Sequence, residues 1–388
     1  MERVVRAAAL AGSAAAVLAL AVLPSGAAFV DSAVARSDLR AVDARPLLLG
    51  GGLDAGDDWS LGWDADGVLH AWGSNTAGAL GTGTGAGELR PTPVAMPDGL
   101  RVSHAAAGID LGIALAVDGG VYTWGNPDIG TNTDVPQRHA FFDALDAAVV
   151  GVDAGGYFYL AWTADGALYS WGNPTSRLGR PVTSGREPPA RVTAGGLDRR
   201  AVTAAAAGRY HGAAVVDGEV VVWGGGFGEF AGRMLTGPAG DPAVGVSAGT
   251  DVTLAWTASG TLHVARGADD GVVPGVSGVV GATASSPVAG EGSFWAWDDA
   301  GHLWAWGSNT GGQLGLGTTG GSHDQPQPVP LPPGSAVTSV AGGGTHALYG
   351  AGSGWYGAAG LNDHGQLGDG TTVARSSFAV AVPAIGWP

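Results

Sequence analysis

Several short segments of the sequence match catalytic or binding motifs. Residues 245–249 (Gly-Val-Ser-Ala-Gly) have the form of a turn that presents a nucleophilic serine, and residues 315–320 have the glycine spacing of a dinucleotide-binding loop. Residues 64–67 (Asp-Ala-Asp-Gly) resemble the start of a calcium-binding loop. The adjacent carboxylates Asp57 and Asp58 are of the type that can supply a general acid and base.

The surrounding sequence argues against each of these chemistries. A nucleophile turn leads from a strand into a helix, whereas a strand-like run continues after Gly249. Glycine makes up 71 of 388 residues, so chance matches to the dinucleotide pattern are expected. In the calcium pattern, Val68 takes a ligand position and Asn75 stands where the closing glutamate belongs. The nine histidines lack metal-ligand spacing and cysteine is absent, so we predict no catalytic residue, no cofactor and no metal site.

The composition limits the class of partner. The chain has 34 acidic and 18 basic residues, a net charge of −16, and arginine as its only basic residue type apart from histidine. Because nucleic-acid binding needs clustered basic residues, we predict no nucleic-acid partner. Hydrophobic residues reach 45 % and there are 14 tryptophans, which indicates a folded rather than a disordered chain.

The N-terminal segment has the pattern of an export signal. Arg3 and Arg6 precede an uncharged run over residues 7–23, which Pro24 and small residues follow. Cleavage after Ala27 fits this pattern, and cleavage after Ala35 is an alternative. We therefore predict a signal peptide at residues 1–27, a linker at 28–44 and one folded domain at 45–388. The protein would be secreted or held at the cell-envelope exterior, with no membrane association after cleavage.

The rest of the chain consists of seven copies of one unit. In each unit a first glycine lies 16 to 18 residues before a second glycine, which usually follows tryptophan. The first glycines are Gly56, Gly108, Gly155, Gly208, Gly249, Gly290 and Gly343, and the second are Gly73, Gly125, Gly172, Gly224, Gly267, Gly307 and Gly360. Arg266 and Ala359 replace the tryptophan in two units.

Each unit also contains a hairpin pattern. Strand-like runs flank Asp-Gly at residues 66–67, 118–119, 165–166 and 217–218. Asp-Gly favours a type I′ turn, in which both central residues have positive φ. With one strand before the first glycine and one after the Trp-Gly loop, each unit is predicted to form four antiparallel strands. Seven such units predict an all-β fold, a seven-bladed β-propeller of four-stranded antiparallel blades. We expect the first glycines to permit close backbone approach around the axis, and the tryptophans to pack between blades.

Three loop segments carry a family resemblance. Residues 307–315 (Gly-Ser-Asn-Thr-Gly-Gly-Gln-Leu-Gly), 360–368 and 73–81 resemble repeats of the regulator of chromosome condensation family. The resemblance covers residues 45–388 and implies a seven-bladed propeller. Units at Asn126 and Asn173 lack Gln-Leu-Gly. In its exported setting the chain is similar to bacterial β-lactamase inhibitors of this repeat class, which implies that an extracellular enzyme could be the partner.

Strand order predicts where a partner would bind. The turn between the first and second strands and the loop after Trp-Gly emerge on the same face of the ring. Turn residues of the types that anchor protein interfaces would line that face. These candidate protein-binding residues are Trp59, Tyr157, Phe158, Arg209, Tyr210 and His211. For Trp59, Phe158 and His211 the alternative is that they pack inward against the next blade.

The sequence therefore predicts a monomeric, exported, non-enzymatic propeller that binds another protein through one face. One alternative is a secreted carbohydrate-active or lyase-type enzyme that uses Asp57, Asp58 or Glu291. A second alternative is a structural protein of the cell envelope.

Overall fold

A computed structural model describes residues 51–126, 133–173, 176–183, 187–227, 233–235, 240–267, 269–285, 292–351, 355–378 and 381–383. These residues form seven four-stranded antiparallel sheets, each built from four consecutive strands. The predicted all-β, seven-bladed propeller is confirmed. The predicted signal peptide (1–27) and linker (28–44) lie outside the described residues.

The strands follow one another blade by blade. Blades 1 and 2 contain β1 Gly52–Ala55, β2 Trp59–Trp63, β3 Leu69–Gly73, β4 Glu88–Pro93, β5 Val102–Ala107, β6 Leu111–Ala116, β7 Val121–Gly125 and β8 Thr133–Arg138. Blades 3 and 4 contain β9 Val149–Ala154, β10 Phe158–Thr163, β11 Leu168–Gly172, β12 Glu187–Arg191, β13 Val202–Ala207, β14 His211–Val216, β15 Glu219–Gly224 and β16 Arg233–Leu235.

The remaining blades continue the pattern. Blade 5 contains β17 Ala243–Ala248, β18 Val252–Thr257, β19 Leu262–Arg266 and β20 Asp269–Val272. Blade 6 contains β21 Val279–Ala284, β22 Ser293–Asp298, β23 Leu303–Ser308 and β24 Ser322–Pro328, and blade 7 contains β25 Val337–Gly342, β26 His346–Ala351, β27 Trp355–Gly360 and β28 Ala381–Pro383. Helix is confined to α1 (Ala140–Asp143) and the 3₁₀ turns Thr76–Gly78, Pro97–Gly99, Ser176–Leu178, Ala194–Arg199 and Gly225–Phe227 in the described ranges. None of these helices has the length and apolar character of a membrane span.

The first glycine of each unit brings neighbouring blades together at the axis. A Cβ atom on Gly56 would lie 2.4 Å from the carbonyl oxygen of Gly108, and one on Gly108 would lie 2.3 Å from that of Gly155. The ring closes in the same way, because a Cβ on Gly343 would lie 2.7 Å from the Gly56 oxygen. Only glycine fits such an approach, so the predicted steric role is confirmed. Blade 7 packs against blade 1 without sharing a strand among the described residues.

Blade 6 corrects one predicted repeat position. Ser285, and not Gly290, takes the place of the axial glycine. Its N–H donates to Ser293 O over 2.9 Å, as Gly249 N–H donates to Val252 O over 2.8 Å in blade 5. The turn of blade 6 is longer, so the constant spacing to Gly290 arose by coincidence, and Gly290 itself lies outside the described residues.

Blade 5 corrects a second position. Its strand register pairs Val252 with Arg266, as Trp59 pairs with Gly73 in blade 1. Ala265 therefore occupies the tryptophan position and Arg266 the glycine position. The prediction that Arg266 and Gly267 fill these positions is one residue out of register.

The hairpins are located as predicted, but most differ in turn type. In blade 3, Gly166 N–H donates to Thr163 O over 2.8 Å, and only the glycine has positive φ (83°). This three-residue turn recurs in blades 1, 2, 5 and 6. The predicted type I′ turn is right for blade 4, where Asp217 has φ 52° and Gly218 has φ 78°. That turn is one residue shorter, which explains the 16-residue spacing from Gly208 to Gly224.

The Trp-Gly tryptophans hold the seams, defined here as the contacts between consecutive blades. Trp124 Nε1 donates to Ala79 O (2.7 Å), Trp223 Nε1 to Arg177 O (2.9 Å) and Trp72 Nε1 to Gln366 O (2.9 Å). In every case the acceptor carbonyl belongs to the loop of the preceding blade. The five Trp-Gly tryptophans are at most 7 % exposed, so their predicted packing between blades is confirmed.

Two buried aspartates also link neighbouring blades through hydrogen bonds. Asp54 accepts the N–H of Ala55 (2.8 Å) and of Ala107 in the next blade (2.6 Å). Asp153 does the same with Ala154 (2.8 Å) and Ala207 (2.7 Å). Both carboxylates therefore satisfy backbone donors of two blades at once.

Candidate functional site

Backbone hydrogen bonds define the two faces of the ring. Asn173 N–H, at the start of a Trp-Gly loop, donates to Tyr157 O in the first turn of the same blade (3.0 Å). Hairpins emerge on the opposite side, where Val202 N–H of blade 4 donates to Gly166 O of blade 3 (3.0 Å). We call the first side the turn face and the second the hairpin face. The predicted placement of the first turns with the Trp-Gly loops is confirmed.

The axial opening at the turn face is narrow. It has a volume of about 30 Å³ and is bordered by Asp57, Ile109 and Asp153. Such a cavity holds only water-sized molecules. A larger partner would have to contact the surface of the face.

Four of the six predicted binding residues are buried, and three of them share the third position of the first turn. Trp59 is 1 % exposed, and its Nε1 donates to Ile109 O of the next blade over 2.9 Å. Phe158 and His211 are 0 % exposed, and His211 Nε2 lies 2.9 Å from Thr253 Oγ1 in blade 5. The third turn residue begins the second strand, so its side chain lies beneath the axial glycine and faces the seam. Their interpretation as exposed contacts is therefore wrong, and the inward-packing alternative is right.

The buried histidines of this position stay neutral near pH 7. Burial lowers the pKa of His211 to about 4 and that of His346 to about 3. His346 Nε2 lies 2.8 Å from Ser60 Oγ, across the seam between blades 7 and 1. Both side chains thus act as neutral hydrogen-bonding ties between blades.

Tyr157, Arg209 and Tyr210 meet at the seam between blades 3 and 4, together with Arg177. The Arg177 guanidinium lies 5.6 Å from the centre of the Tyr157 ring and 5.4 Å from that of Tyr210. Arg209 lies 5.1 Å from the Tyr210 ring, and its Nε donates to Tyr210 Oη over 2.7 Å. We call these four residues the arginine–tyrosine stack. Both tyrosines are partly exposed, whereas Arg209 is 5 % exposed and supports Tyr210 from below the surface.

Two close backbone contacts hold the stack in place. Trp223 Nε1 donates to Arg177 O, which fixes the loop of blade 3 against blade 4. A Cβ on Gly156 would lie 2.6 Å from Arg209 O, so glycine allows the turns of blades 3 and 4 to touch. The tyrosine that follows Gly156 is thereby brought beside the turn of the next blade.

Arg177 is the member of the arginine–tyrosine stack that sequence reasoning missed. It stands where regular repeats carry glutamine, as at Gln313 and Gln366. Those glutamines are buried, and each Oε1 accepts a loop N–H, from Gly311 (2.8 Å) and His364 (3.0 Å). The pair Leu178-Gly179 keeps the repeat register and was the signal that could have identified Arg177.

The guanidinium of Arg177 is largely buried against the two tyrosine rings. Burial lowers the pKa of its guanidinium, and the charge of Arg209 acts in the same direction. Its Nη1 atom is buried and has no hydrogen-bond partner among the described residues. Several arginines of this chain pair with carboxylates, as Arg138 does with Asp118 (2.6 Å) and Arg200 with Glu219 (2.8 Å). In the described part of the chain, no carboxylate lies within ion-pair distance of Arg177.

The turn face of blades 1 and 2 has the opposite charge. Asp57 and Asp58 lie in the first turn of blade 1, and Asp110 holds the position of Asp58 in blade 2. Burial raises the pKa of Asp110, and the charge of Asp58 adds to the effect. Glu291, the third carboxylate of the enzyme alternative, lies outside the described residues.

The catalytic motifs fall in structural positions. Ser247 lies in β17, is 1 % exposed and accepts the N–H of Ala284 in the next blade (3.2 Å). Residues 315–320 form part of a loop in which Gly317 N–H donates to Ser376 O (2.7 Å). Across the described ranges, no group of three or more metal-ligating side chains comes together.

Comparison with known proteins agrees with this architecture. The family model of the regulator of chromosome condensation (RCC1) repeat matches residues 66–115, 165–215 and 300–349. The chain is 27 % identical over 327 residues to the RCC1 domain-containing protein RUG3, mitochondrial, of Arabidopsis thaliana, which covers 77 % of this chain and 67 % of the relative. The chain thus carries repeats of this type.

Two further proteins show how far the likeness extends. The human E3 ubiquitin-protein ligase HERC2 is 26 % identical over 354 residues, which is 82 % of this chain but 7 % of that protein. Prp20p of Saccharomyces cerevisiae, described with its binding properties to Gsp1p and histones, superposes with a TM-score of 0.66 at 20 % identity, over 77 % of this chain and 81 % of Prp20p. The similarity to Prp20p shows a shared fold.

Proposed function

Because this chain is a seven-bladed propeller that carries repeats of the regulator of chromosome condensation type, we propose that it is a non-enzymatic protein that binds another protein through its turn face. Prp20p, with the same fold, is described as binding Gsp1p and histones. The axial cavity of about 30 Å³ is too small for a macromolecule, so the partner contacts the surface.

The arginine–tyrosine stack carries this proposal. Tyrosine and arginine dominate the binding energy of protein interfaces, since they bury large areas and still hydrogen-bond. Tyr157 and Tyr210 are partly exposed and are held in one arrangement by the guanidinium between them. A surface arranged before binding loses less entropy when the partner arrives.

The exported setting is part of the same proposal. It rests on the signal pattern of residues 1–27 and would make an extracellular protein, such as an enzyme, the partner. The full chain expressed in its native host should be found in the supernatant as a monomer by light scattering. Mass spectrometry should place its first residue at Ala28, or at Arg36 if the second cleavage site is used. Absence of the mature chain from both the supernatant and the cell-envelope exterior would contradict export.

A double substitution tests the binding face. Immobilised protein should capture a partner from native culture supernatant, and Tyr157→Ala with Tyr210→Ala should abolish that capture while leaving the melting temperature nearly unchanged. Tyr169→Ala is the matched control. Tyr169 is also partly exposed and lies 5.8 Å from an arginine, Arg191, but it belongs to β11 beside the hairpin face.

Two results would contradict the proposal. If the double variant captures the same partner as the wild type, the turn face is not the binding surface. If Tyr169→Ala abolishes capture and the double variant does not, the partner binds at the blade perimeter.

A further inference from the structure

We propose that the arginine–tyrosine stack recognises an acidic side chain, a glutamate or aspartate carboxylate of the partner protein, with Arg177 as the residue that binds it. This inference rests on the proposed function, since it names the chemistry that the turn face would select.

The first argument is the hydrogen-bonding state of Arg177. A guanidinium carries five N–H donors in a planar fork that matches a carboxylate. Nη1 of Arg177 is buried without a partner among the described residues, and its two ring neighbours offer π faces rather than acceptors for that atom. A buried donor without a partner is costly, so the unbound guanidinium is incompletely satisfied. The Arg177 side chain as a whole is partly exposed, and a carboxylate is the acceptor that best satisfies the exposed part of the fork.

The second argument is charge. Two guanidinium groups, those of Arg177 and Arg209, lie on the same tyrosine ring, at 5.4 and 5.1 Å. Their mutual repulsion opposes burial of Arg177. An anion placed at the edge of the stack would offset that repulsion, whereas a cation or a neutral group would not. Arg177 is thus a cationic side chain on the turn face of a chain whose net charge is −16.

The third argument is selectivity within the face. Asp57, Asp58 and Asp110 make blades 1 and 2 unfavourable for an acidic segment. An acidic segment is therefore directed towards blades 3 and 4, where the tyrosine rings exclude water from the guanidinium. Exclusion of water strengthens an arginine–carboxylate contact.

A peptide-binding measurement tests the inference. The probe is fluorescein-labelled hexaglutamate, followed by fluorescence anisotropy with the full mature chain at low ionic strength. Arg177→Gln restores the residue type of regular repeats, so it should fold normally and bind the probe about tenfold more weakly. Arg266→Gln is the matched control, because Arg266 also lies over an aromatic ring, 5.4 Å from Phe294, but is exposed. This control should bind the probe like the wild type, and binding by the wild type should weaken at ~0.3 M salt.

Each other outcome overturns the inference. It fails if the wild type does not bind hexaglutamate, if the wild type binds labelled hexalysine more tightly, or if the two arginine variants are equally weakened through net charge alone. If inorganic phosphate displaces the probe at lower concentration than free glutamate does, the stack is a phosphate site. If Tyr157→Ala with Tyr210→Ala abolishes partner capture while Arg177→Gln changes neither capture nor probe binding, the binding face stands and the carboxylate inference alone fails.

Discussion

The seam between blades 1 and 2 and the seam between blades 3 and 4 share their backbone contacts. In the first, Trp124 donates to Ala79 O over 2.7 Å, and in the second, Trp223 donates to Arg177 O over 2.9 Å. Asp54 ties the first seam and Asp153 ties the second through equivalent backbone N–H groups. In each seam the loop is therefore held by a backbone carbonyl group, and a residue of any type provides that group.

The side chains at the same positions differ completely. The seam of blades 1 and 2 presents Asp58, Ala79 and Asp110, and the seam of blades 3 and 4 presents Tyr157, Arg177 and Tyr210. Because backbone groups hold both seams, these side chains can change without loss of the fold. A regular ring can therefore carry an acidic surface in one sector and a cationic, aromatic surface in another.

The largest effect is expected from the tryptophans, where the two seams should behave alike. Trp124→Ala and Trp223→Ala should each lower the free energy of unfolding by about 3–5 kcal/mol, because each removes a buried indole and its hydrogen bond. Urea unfolding followed by circular dichroism measures this. Trp304→Ala, at a partly exposed tryptophan of β23, should cost less. A much smaller loss for Trp223→Ala than for Trp124→Ala would show that the seams are built differently.

The aspartate ties should give the next largest effect, again equal in the two seams. Asp54→Ala and Asp153→Ala each leave buried backbone N–H groups without their acceptor and should cost about 1–3 kcal/mol. The asparagine variants keep one acceptor oxygen and should lose less. Equal stability of the alanine and asparagine variants would contradict the role of these side chains as hydrogen-bond acceptors.

The repeat positions could be predicted from the sequence where the backbone conformation or packing allows only one residue type. Gly56, Gly108 and Gly155 lie where a Cβ would strike the next blade, so the chain has little alternative to glycine there. Where the backbone leaves room for a side chain, the position of the repeat residue was predicted wrongly. In blade 6 a longer turn accommodates Ser285, and a chance glycine at position 290 then imitated the spacing.

The binding site was harder to predict, for a related reason. Trp59, Phe158 and His211 have the residue types of an interface, but one residue of register decides whether a turn side chain points into the seam or onto the surface. Arg177 was missed because sequence pattern identifies repeats by their consensus, and this residue departs from it. Asp54 and Asp153 were missed because the second blade that each one contacts is distant in sequence.

The acidic seam differs from the tyrosine seam in its pH response. Burial and the charge of Asp58 raise the pKa of Asp110 above its ordinary 3.8. The folded state therefore holds the proton more tightly than the unfolded state, so stability falls as pH rises through the raised pKa. Asp110→Asn should stabilise the protein by about 0.5 kcal/mol at pH 7, and this gain should vanish below pH 3.8. In an Asp58→Asn background the gain in stability from Asp110→Asn should be smaller. Urea unfolding measured as a function of pH tests this. An equal gain in both backgrounds would contradict the contribution of Asp58 to the raised pKa.

The sharpest test of the comparison moves one surface to the other seam. The combined variant Asp58→Tyr, Ala79→Arg and Asp110→Tyr places a second arginine between two tyrosines at the seam of blades 1 and 2. Trp124 contacts the carbonyl of residue 79, so its hydrogen bond is kept, but Ala79 is 1 % exposed, and accommodating the larger side chain should lower the free energy of unfolding by about 1–3 kcal/mol. Titration with labelled hexaglutamate should then show a second, weaker site beside the natural one, because Asp57 and Ile109 stand where the natural stack has Gly156 and Arg209. Ala79→Arg alone should add no site, because Asp58 and Asp110 remain beside it to neutralise the new charge. If the single variant binds as well as the combined one, positive charge alone accounts for binding, and the tyrosines of the natural stack have only a structural role.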